Sequence, residues 1–312
     1  MRFNGVTREA KPSTHLRKQR NLVRTIVVID AHIHLYPPSV YTTPEIWAEA
    51  RGERSWLDCV APESGPALQG WADVDQLLKD MDDAGVEKAI ILGWYWENPD
   101  TCMENLAWQI EWIQTHPDRL IAYAAFNANG GTRALDMLER AFDAGLSGIG
   151  ELNPPAQGYA YENEILDNAF ELAANRGKSV NFHVTDPTTR DYPGKVETPF
   201  ESLFSTAQRH PETTFIFAHL AGMMNLIRLK QLDNVYLDTA ATPLLYSDSI
   251  YQKAIDQIGA GRILFGTDYP LRTFPKRQSI PDFTSHLNAL HNCGLETDDL
   301  SKILSKNCSK IL

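Results

Sequence analysis

The sequence predicts a (β/α)₈ barrel, and two observations support that fold class. Short apolar runs alternate with amphipathic segments at an almost regular interval, and the 312 residues contain eight such runs. Apolar strands that alternate with helices indicate a parallel sheet covered on both faces. An open doubly wound sheet is the alternative, but no G-x-G-x-x-G motif follows the first run.

The strands and helices of the predicted barrel follow one another along the chain. The strands are TIVVIDAHIHL (25–35), EKAIILGWYW (87–96), LIAYAAFN (120–127), LSGIGELN (146–153), SVNFHV (179–184), TTFIFAHL (213–220), NVYLDTA (234–240) and RILFGTDYP (262–270). Between them lie the helical patterns DVDQLLKDMDDAG, ENLAWQIEWIQTH, TRALDMLERAFDAG, ENEILDNAFELAANRG and SIYQKAIDQIGAG. Several end in the glycine that is typical of the position just past a helix. In such a barrel the active site lies at the carboxyl ends of the strands.

Two segments depart from this regular pattern. Residues 1–24 contain seven Lys or Arg and one acidic residue, and they lack the apolar core of a secretory signal. We expect a mobile basic extension there, with a targeting segment as the alternative, before a single domain over residues 25–312. Residues 36–70 separate the first strand from its helix, and a loop of that length is typical of a lid or binding loop. The alternative is a surface excursion packed down by its tryptophans.

Composition narrows the range of partners. The formal charge of −11 argues against a nucleic-acid surface, and no apolar run reaches the length of a membrane span. The four cysteines form no C-x-x-C pair, so the chain predicts neither a zinc ribbon nor a disulfide framework. We therefore expect a cytoplasmic protein that acts on a small molecule.

Paired histidines occur at the end of the first predicted strand. Because side chains alternate across a strand, His32 and His34 share one face with Asp30. Polar residues also end other predicted strands, which would bring them to the same rim of a barrel: Glu151 (strand 4), His183 (strand 5), His219 (strand 6) and Asp268 (strand 8). A polar rim without metal is the alternative, but imidazoles and carboxylates in a partly dry pocket need partners.

A divalent cation would satisfy this set of ligands. Imidazole and carboxylate suit Zn²⁺, with manganese, iron or cobalt as alternatives, and a free coordination position would hold water. The cation would lower the pKa of that water and polarise a carbonyl group. We expect Asp268 to orient or deprotonate the water and His219 to stabilise or protonate the developing anion. Glu151 could bridge to a second cation, bind a single one, or orient a ligating histidine.

At this point the sequence resembles a known superfamily. The ordered set His32, His34, His183, His219 and Asp268 is similar to the amidohydrolase superfamily. The segments IDAHIHLYPP, FIFAHLAG, NVYLDTAA, ILFGTDYPL and LSKILSKNCSKIL resemble its amidohydrolase-related family, which contains aminocarboxymuconate semialdehyde decarboxylase, lactonases and metal-dependent hydrolases. The resemblance spans roughly residues 25–312 and implies a TIM barrel, commonly with zinc, and often a homodimer.

The resemblance also implies roles for individual residues. His32, His34, His183 and Asp268 would hold one metal ion, and His219 would be the catalytic histidine. Two departures bear on this reading. Glu151 is more like the glutamate of TatD-like nucleases, which keeps a centre of two metal ions open. The H-x-H motif lacks the glutamate-first pattern of resorcylate-type decarboxylases, which weighs against that decarboxylation.

Aromatic and cationic residues are candidates for substrate binding. In GWYWEN, alternation would turn either Trp94 and Trp96 or Tyr95 alone toward the site. Arg190 and Arg272, in the loops after strands 5 and 8, could clamp a carboxylate.

Together, these inferences predict a metal-dependent hydrolase that acts on an ester, lactone or amide bond of a small carboxylated substrate. One metal ion is favoured over two. A non-oxidative decarboxylase is the first alternative. A catalytically silent metabolite-binding barrel is the second.

Overall fold

Eight parallel strands form a single sheet in which each strand pairs with its neighbours in chain order. The computed structural model describes residues 26–63 and 67–312, so the basic segment 1–24 lies outside the described residues. The strands are Ile29–Ile33 (β1), Lys88–Leu92 (β2), Leu120–Ala124 (β3), Gly148–Leu152 (β4), Ser179–Phe182 (β5), Thr214–Phe217 (β6), Val235–Asp238 (β7) and Ile263–Leu264 (β8). Each lies inside one of the eight predicted runs.

The sheet closes between its first and last strands. The backbone N–H of Ala31 donates to the carbonyl of Phe265 at 2.7 Å, and that of Asp268 donates to the carbonyl of His32 at 2.8 Å. The chain beyond β8 therefore continues the ladder against β1 and completes the ring. This closed sheet confirms the predicted (β/α)₈ barrel, in which the strand ends of all eight units meet around one mouth.

Helices connect the strands and cover the outside of the barrel. Their bounds are Pro38–Tyr41, Pro44–Glu49, Arg54–Val60, Val74–Ala84, Pro99–Thr115, Thr132–Asp143, Glu164–Asn175, Phe200–Arg209, Leu226–Leu229, Thr242–Leu245, Ser249–Ile258, Thr284–Asn292, Thr297–Ser301 and Asn307–Ile311. Local chemistry explains why individual helices begin and end where they do. Asp73 caps the first turn of Val74–Ala84 by accepting from the Gln76 N–H at 2.8 Å, and Gly85 ends that helix at φ 75°.

The long connection after β1 is more ordered than its weak periodicity predicts, because three of the short helices lie within it. Its aromatic side chains pack together: the Trp47 and Trp56 rings are 5.2 Å apart, and Trp56 lies 5.6 Å from Trp96 beyond β2. The Glu53 carboxylate accepts from the backbone N–H of Glu97 at 2.8 Å. These contacts fix the connection against the β2 side of the mouth.

In the described part of the chain, no helix combines the length and apolarity needed to cross a membrane.

Candidate metal centre

The six ionisable side chains selected from the sequence converge at the carboxyl end of the barrel. His32 and Glu151 lie on β1 and β4, and the others follow the ends of β1, β5, β6 and β8: His34, His183, His219 and Asp268. They fall into two groups of three whose ligand atoms lie close together. One group contains His32, His34 and Asp268, and the other contains Glu151, His183 and His219. Below, they are called the first and the second triad.

The distances within each triad match the edges of a metal coordination sphere. In the first triad, His32 Nε2 is 3.3 Å from His34 Nε2 and 3.8 Å from Asp268 Oδ1, and His34 Nε2 is 3.6 Å from Asp268 Oδ1. Ligands at the bond lengths typical of zinc, arranged tetrahedrally, are about 3.3–3.4 Å apart. The side chains of the first triad are thus already spaced to hold one cation.

The second triad has similar spacing. His183 Nδ1 is 3.0 Å from Glu151 Oε1 and 3.3 Å from His219 Nε2, and His219 Nε2 is 3.7 Å from Glu151 Oε1. The other oxygen of the same carboxylate, Glu151 Oε2, is 3.6 Å from His34 Nε2 of the first triad. The Glu151 carboxylate thus lies between the two triads.

In three of the histidines, the ring nitrogen that points away from the other ligands, called here the outer nitrogen, has a hydrogen-bond acceptor. The acceptor determines which ring nitrogen carries the proton. His32 Nδ1 lies 2.9 Å from Asp238 Oδ2, and His219 Nδ1 lies 3.1 Å from the Ala240 carbonyl oxygen. His183 Nε2 lies 3.2 Å from the Thr185 hydroxyl, which donates its own proton to the Val196 carbonyl. With the outer nitrogens donating, the inner nitrogens present lone pairs to one another and to two carboxylates. Such a set of acceptors fits a cation.

The protonation of the cluster without metal agrees with this reading. Burial lowers the pKa of His32, but the charges of Asp238 and Glu151 outweigh that effect and raise the pKa to about 10. Burial raises the pKa of Glu151, but the imidazoles of His183 and His32 hold it well below its ordinary value. Burial and the neighbouring His183 lower the pKa of His219. Without metal, His32 therefore carries a second proton, which a bound cation would displace, whereas Glu151 is ionised and His219 is neutral.

Asp238, at the end of β7, is a site residue that the sequence argument missed. This buried carboxylate accepts from His32 Nδ1, from the backbone N–H groups of His219 and Ala240, each at 3.0 Å, and from the Asn181 amide at 3.2 Å. Its position at a strand end in NVYLDTA is the same signal that selected Glu151 and Asp268. Asp30 is also buried but lies away from the ligand atoms, where it accepts from Thr267.

The backbone is constrained at two of the ligands. His219 and Asp268 have φ values of 57° and 68°, in the left-handed region that is costly for residues other than glycine. Hydrogen bonds hold both conformations, since the N–H of His219 donates to Asp238 and that of Asp268 donates to the His32 carbonyl. The site therefore depends on connections among β1, β7 and β8.

A cavity of about 150 Å³ opens above the cluster. Asp268 and His183 are the ligands most open to it, with side chains 16% and 14% exposed, whereas Glu151 is 1% exposed and lies beneath them. The long connection after β1 forms part of its wall through four residues: Cys59, Val60, Leu68 and Gln69. The loop that the sequence marked as unusual therefore borders the site.

The predicted substrate-binding residues are divided by the structure. Trp94 and its neighbour Tyr95 both line the cavity, whereas Trp96 is fully buried in the tryptophan cluster and donates to Asn105. The expectation of strict alternation is wrong here because β2 ends at Leu92 and the Trp96 N–H donates to the Trp94 carbonyl at 2.9 Å, which closes a tight turn. Arg190 and Arg272 are not among the residues that line the cavity.

Comparisons with solved structures agree with the fold. The 5-carboxyvanillate decarboxylase of Sphingomonas paucimobilis superposes with a TM-score of 0.70 at 15% identity, covering 92% of this chain and 99% of that chain. The same enzyme of Novosphingobium aromaticivorans, complexed with manganese and 4-hydroxy-3-methoxy-5-nitrobenzoic acid, gives 0.67 at 13% identity over 92% and 96%. A probable 2-pyrone-4,6-dicarboxylic acid hydrolase of Acinetobacter baumannii, with citric acid bound, gives 0.62 at 14% identity over 91% and 98%.

At the level of sequence, no curated protein matches the chain significantly. The family model described as amidohydrolase matches residues 29–312, which begin at β1 and contain all six converging side chains. The chain belongs to the amidohydrolase family of enzymes.

Proposed function

We propose that the protein is a metal-dependent hydrolase that cleaves an ester, lactone or amide bond in a small molecule. The observation that carries the proposal is the pair of triads with Glu151 between them, in which the inner imidazole nitrogens have lone pairs available for a cation. The spacing of both triads supports two divalent cations per chain rather than the single ion favoured by the sequence. Zinc suits these ligands, and the manganese bound by the similar Novosphingobium enzyme makes it the main alternative.

Bound cations would supply an activated water at neutral pH and polarise the carbonyl under attack. The residues of the chain would perform the remaining steps. Asp268 is the carboxylate most open to the cavity, so we assign it to taking the proton of the attacking water and delivering it to the leaving oxygen or nitrogen. His219 Nδ1 is hydrogen-bonded to the Ala240 carbonyl, and Nε2 is one of the three ligand atoms of the second triad. We therefore assign His219 to binding a cation.

Metal analysis of the purified protein tests the two-cation centre. The native chain should contain two equivalents, and His34→Ala and His219→Ala should each lose about one, because each change removes a ligand from one triad only. His210→Ala is the matched control, since this histidine pairs with Asp167 on the outside of the barrel. One equivalent in the native protein, or a loss in the control, would refute the assignment.

Product analysis tests the reaction. A metal-loaded sample should release acid from simple esters or lactones, and Asp268→Asn should lower kcat by about 100-fold or more, because general acid–base catalysis contributes that much. A change in kcat without loss of metal would place Asp268 in the chemical step rather than in binding.

Decarboxylation is the second candidate, because two of the similar structures named above are decarboxylases of an aromatic acid. It would use the same cations to bind the substrate, and it would release CO₂ instead of forming an acid from an ester. Release of CO₂ from aromatic acids, with no hydrolysis of any ester or lactone, would replace the first proposal with this one. A metal-loaded protein that does neither would favour the silent binding barrel.

A further inference from the structure

The cavity above the metal centre has an unusual distribution of charge. Within residues 26–63 and 67–312, none of the side chains that line it belongs to Lys or Arg. Apart from the metal ligands, the acidic residue in its wall is Asp186, which already accepts from the Tyr246 hydroxyl and from the N–H and hydroxyl of Thr188. Among the described residues, an anionic group on a bound molecule would therefore find a positive counter-charge only at the proposed metal centre.

The nearest cations of the surrounding loops are engaged elsewhere. The Arg272 guanidinium donates to the Ala67 carbonyl, and Lys195 Nζ donates to the Thr189 carbonyl at 2.8 Å. Arg190 is exposed to solvent. Arg272 thus binds the backbone of the connection after β1, and Lys195 binds the backbone of its own loop, so both groups stabilise the walls of the cavity rather than line it.

Most of the remaining lining is apolar and aromatic, and three of its uncharged polar side chains, Gln69, Thr185 and Thr189, already donate to backbone carbonyls. Trp94 and Tyr95 stack with their ring centroids 4.3 Å apart, and Tyr95 lies 5.3 Å from the His183 ring. Aliphatic side chains complete the wall: Val60, Leu68, Val184, Leu244, Leu245 and Leu271. The volume of about 150 Å³ is that of a cavity which accommodates one benzene-sized ring.

We propose that the substrate carries one uncharged ring, that its reacting carbonyl is directed to the metal centre, and that the site excludes molecules with a further ionised group on that ring. The inference rests on the proposed hydrolase function and revises the carboxylated substrate expected from the sequence. An ionised carboxylate placed against this wall would lose its water without gaining a positive counter-charge, which is costly.

Hydroxamates test the inference without turnover, because the hydroxamate group binds divalent cations and leaves the ring in the cavity. Binding to the metal-loaded protein is followed by calorimetry and by tryptophan fluorescence, with the metal content measured on the same sample. Benzohydroxamate should bind, and its 3-carboxy and 4-carboxy derivatives should each bind at least about tenfold more weakly. Equal or tighter binding of either carboxylated compound, or no binding of benzohydroxamate, overturns the inference.

A charge introduced into the wall provides the reverse test. Leu245 lines the cavity and is partly exposed, so Leu245→Arg can keep its guanidinium hydrated while reaching a ligand. This variant should gain about tenfold in affinity for a carboxylated benzohydroxamate, whereas the uncharged Leu245→Gln should not. Unchanged discrimination in Leu245→Arg, with normal binding of benzohydroxamate, would show that wall charge does not decide selectivity.

The two proposals fail in different ways. Hydrolysis of phenyl acetate and of 4-acetoxybenzoate at equal kcat/KM would refute the inference and leave the hydrolase standing. Retained hydroxamate discrimination in a protein that hydrolyses no ester or lactone would refute the hydrolase and leave the description of the cavity standing.

Discussion

Replacing Asp238 by asparagine should release metal without unfolding the barrel. The carboxylate accepts from four donors, and Oδ2 receives His32 Nδ1 at 2.9 Å and the Asn181 amide at 3.2 Å. In Asp238→Asn, an amide N–H₂ in that position would face two donors. His32 would then have to present Nδ1 as an acceptor and move its proton to Nε2, the atom that belongs to the first triad. The ligand would be lost although the histidine is still present.

The magnitude follows from the role of Asp238 as the group that orients a ligand. Loss of such a partner typically lowers metal affinity by about 10- to 100-fold, which corresponds to about 1.4–2.7 kcal/mol. The assay is equilibrium dialysis against zinc buffered by a chelator, followed by metal analysis. One of the two proposed equivalents should weaken by that factor, and thermal melting should show that the fold persists.

Asp30→Asn is the matched control for this prediction. Asp30 is equally buried, on β1, and accepts from the His32 backbone N–H at 3.0 Å, but it contacts no imidazole nitrogen. Burial raises its pKa to about 7, so a neutral amide is a mild change there. Wild-type metal affinity in Asp238→Asn, or equal loss in Asp30→Asn, would refute the argument from the histidine tautomer.

Three further predictions concern stability. The His286 side chain is buried without a hydrogen-bond partner among the described residues, and burial lowers its pKa to about 3. As the pH falls, the unfolded chain binds the proton before the folded protein does. The free energy of unfolding should therefore fall by roughly 2 kcal/mol from pH 6.5 to 4.5. The free energy of unfolding, measured with urea, should depend less on pH in this range in His286→Leu. His291→Leu, in the same helix, should keep the pH dependence of the wild type. A Cβ at Gly93 would lie 2.4 Å from the Ala125 nitrogen, so Gly93→Ala should lower the free energy of unfolding by about 1–3 kcal/mol. Gly261→Ala is the control, because a Cβ there meets open space and the melting temperature should not change. Stripping the metal with a chelator should lower the melting temperature, and zinc at 100 times its Kd should restore about 2.7 kcal/mol; a melting curve insensitive to both would show that the ligands do not bind metal in the folded state.

The architecture was predictable because the signals that define it are local and repeated. The run TIVVIDAHIHL and its seven counterparts are long enough to mark strands, and Asp73 and Gly85 mark the limits of a helix. A closed parallel barrel requires all strand ends to point one way. That requirement allowed His183 and Asp268 to be placed together although 85 positions separate them in the chain.

Contacts between distant segments were not predictable in the same way. The segment after Leu92 leaves the strand, which turns both Trp94 and Tyr95 toward the cavity. Arg272 is bound to the Ala67 carbonyl, a partner about two hundred residues away that no local pattern marks. The three short helices within residues 36–70 depend on packing between Trp56 and Trp96, which weak periodicity does not reveal.

The sequence by itself determined the barrel, the end of it at which the site lies, and the set of imidazoles and carboxylates at that end. It could do so because strand and helix periodicity place each of those side chains independently. Only the tertiary structure decided how the set divides into two triads, that Glu151 lies between them, and that Asp238 orients His32. Those features depend on distances of a few ångströms between side chains on different strands. Such distances result from how the whole barrel packs and not from any one segment.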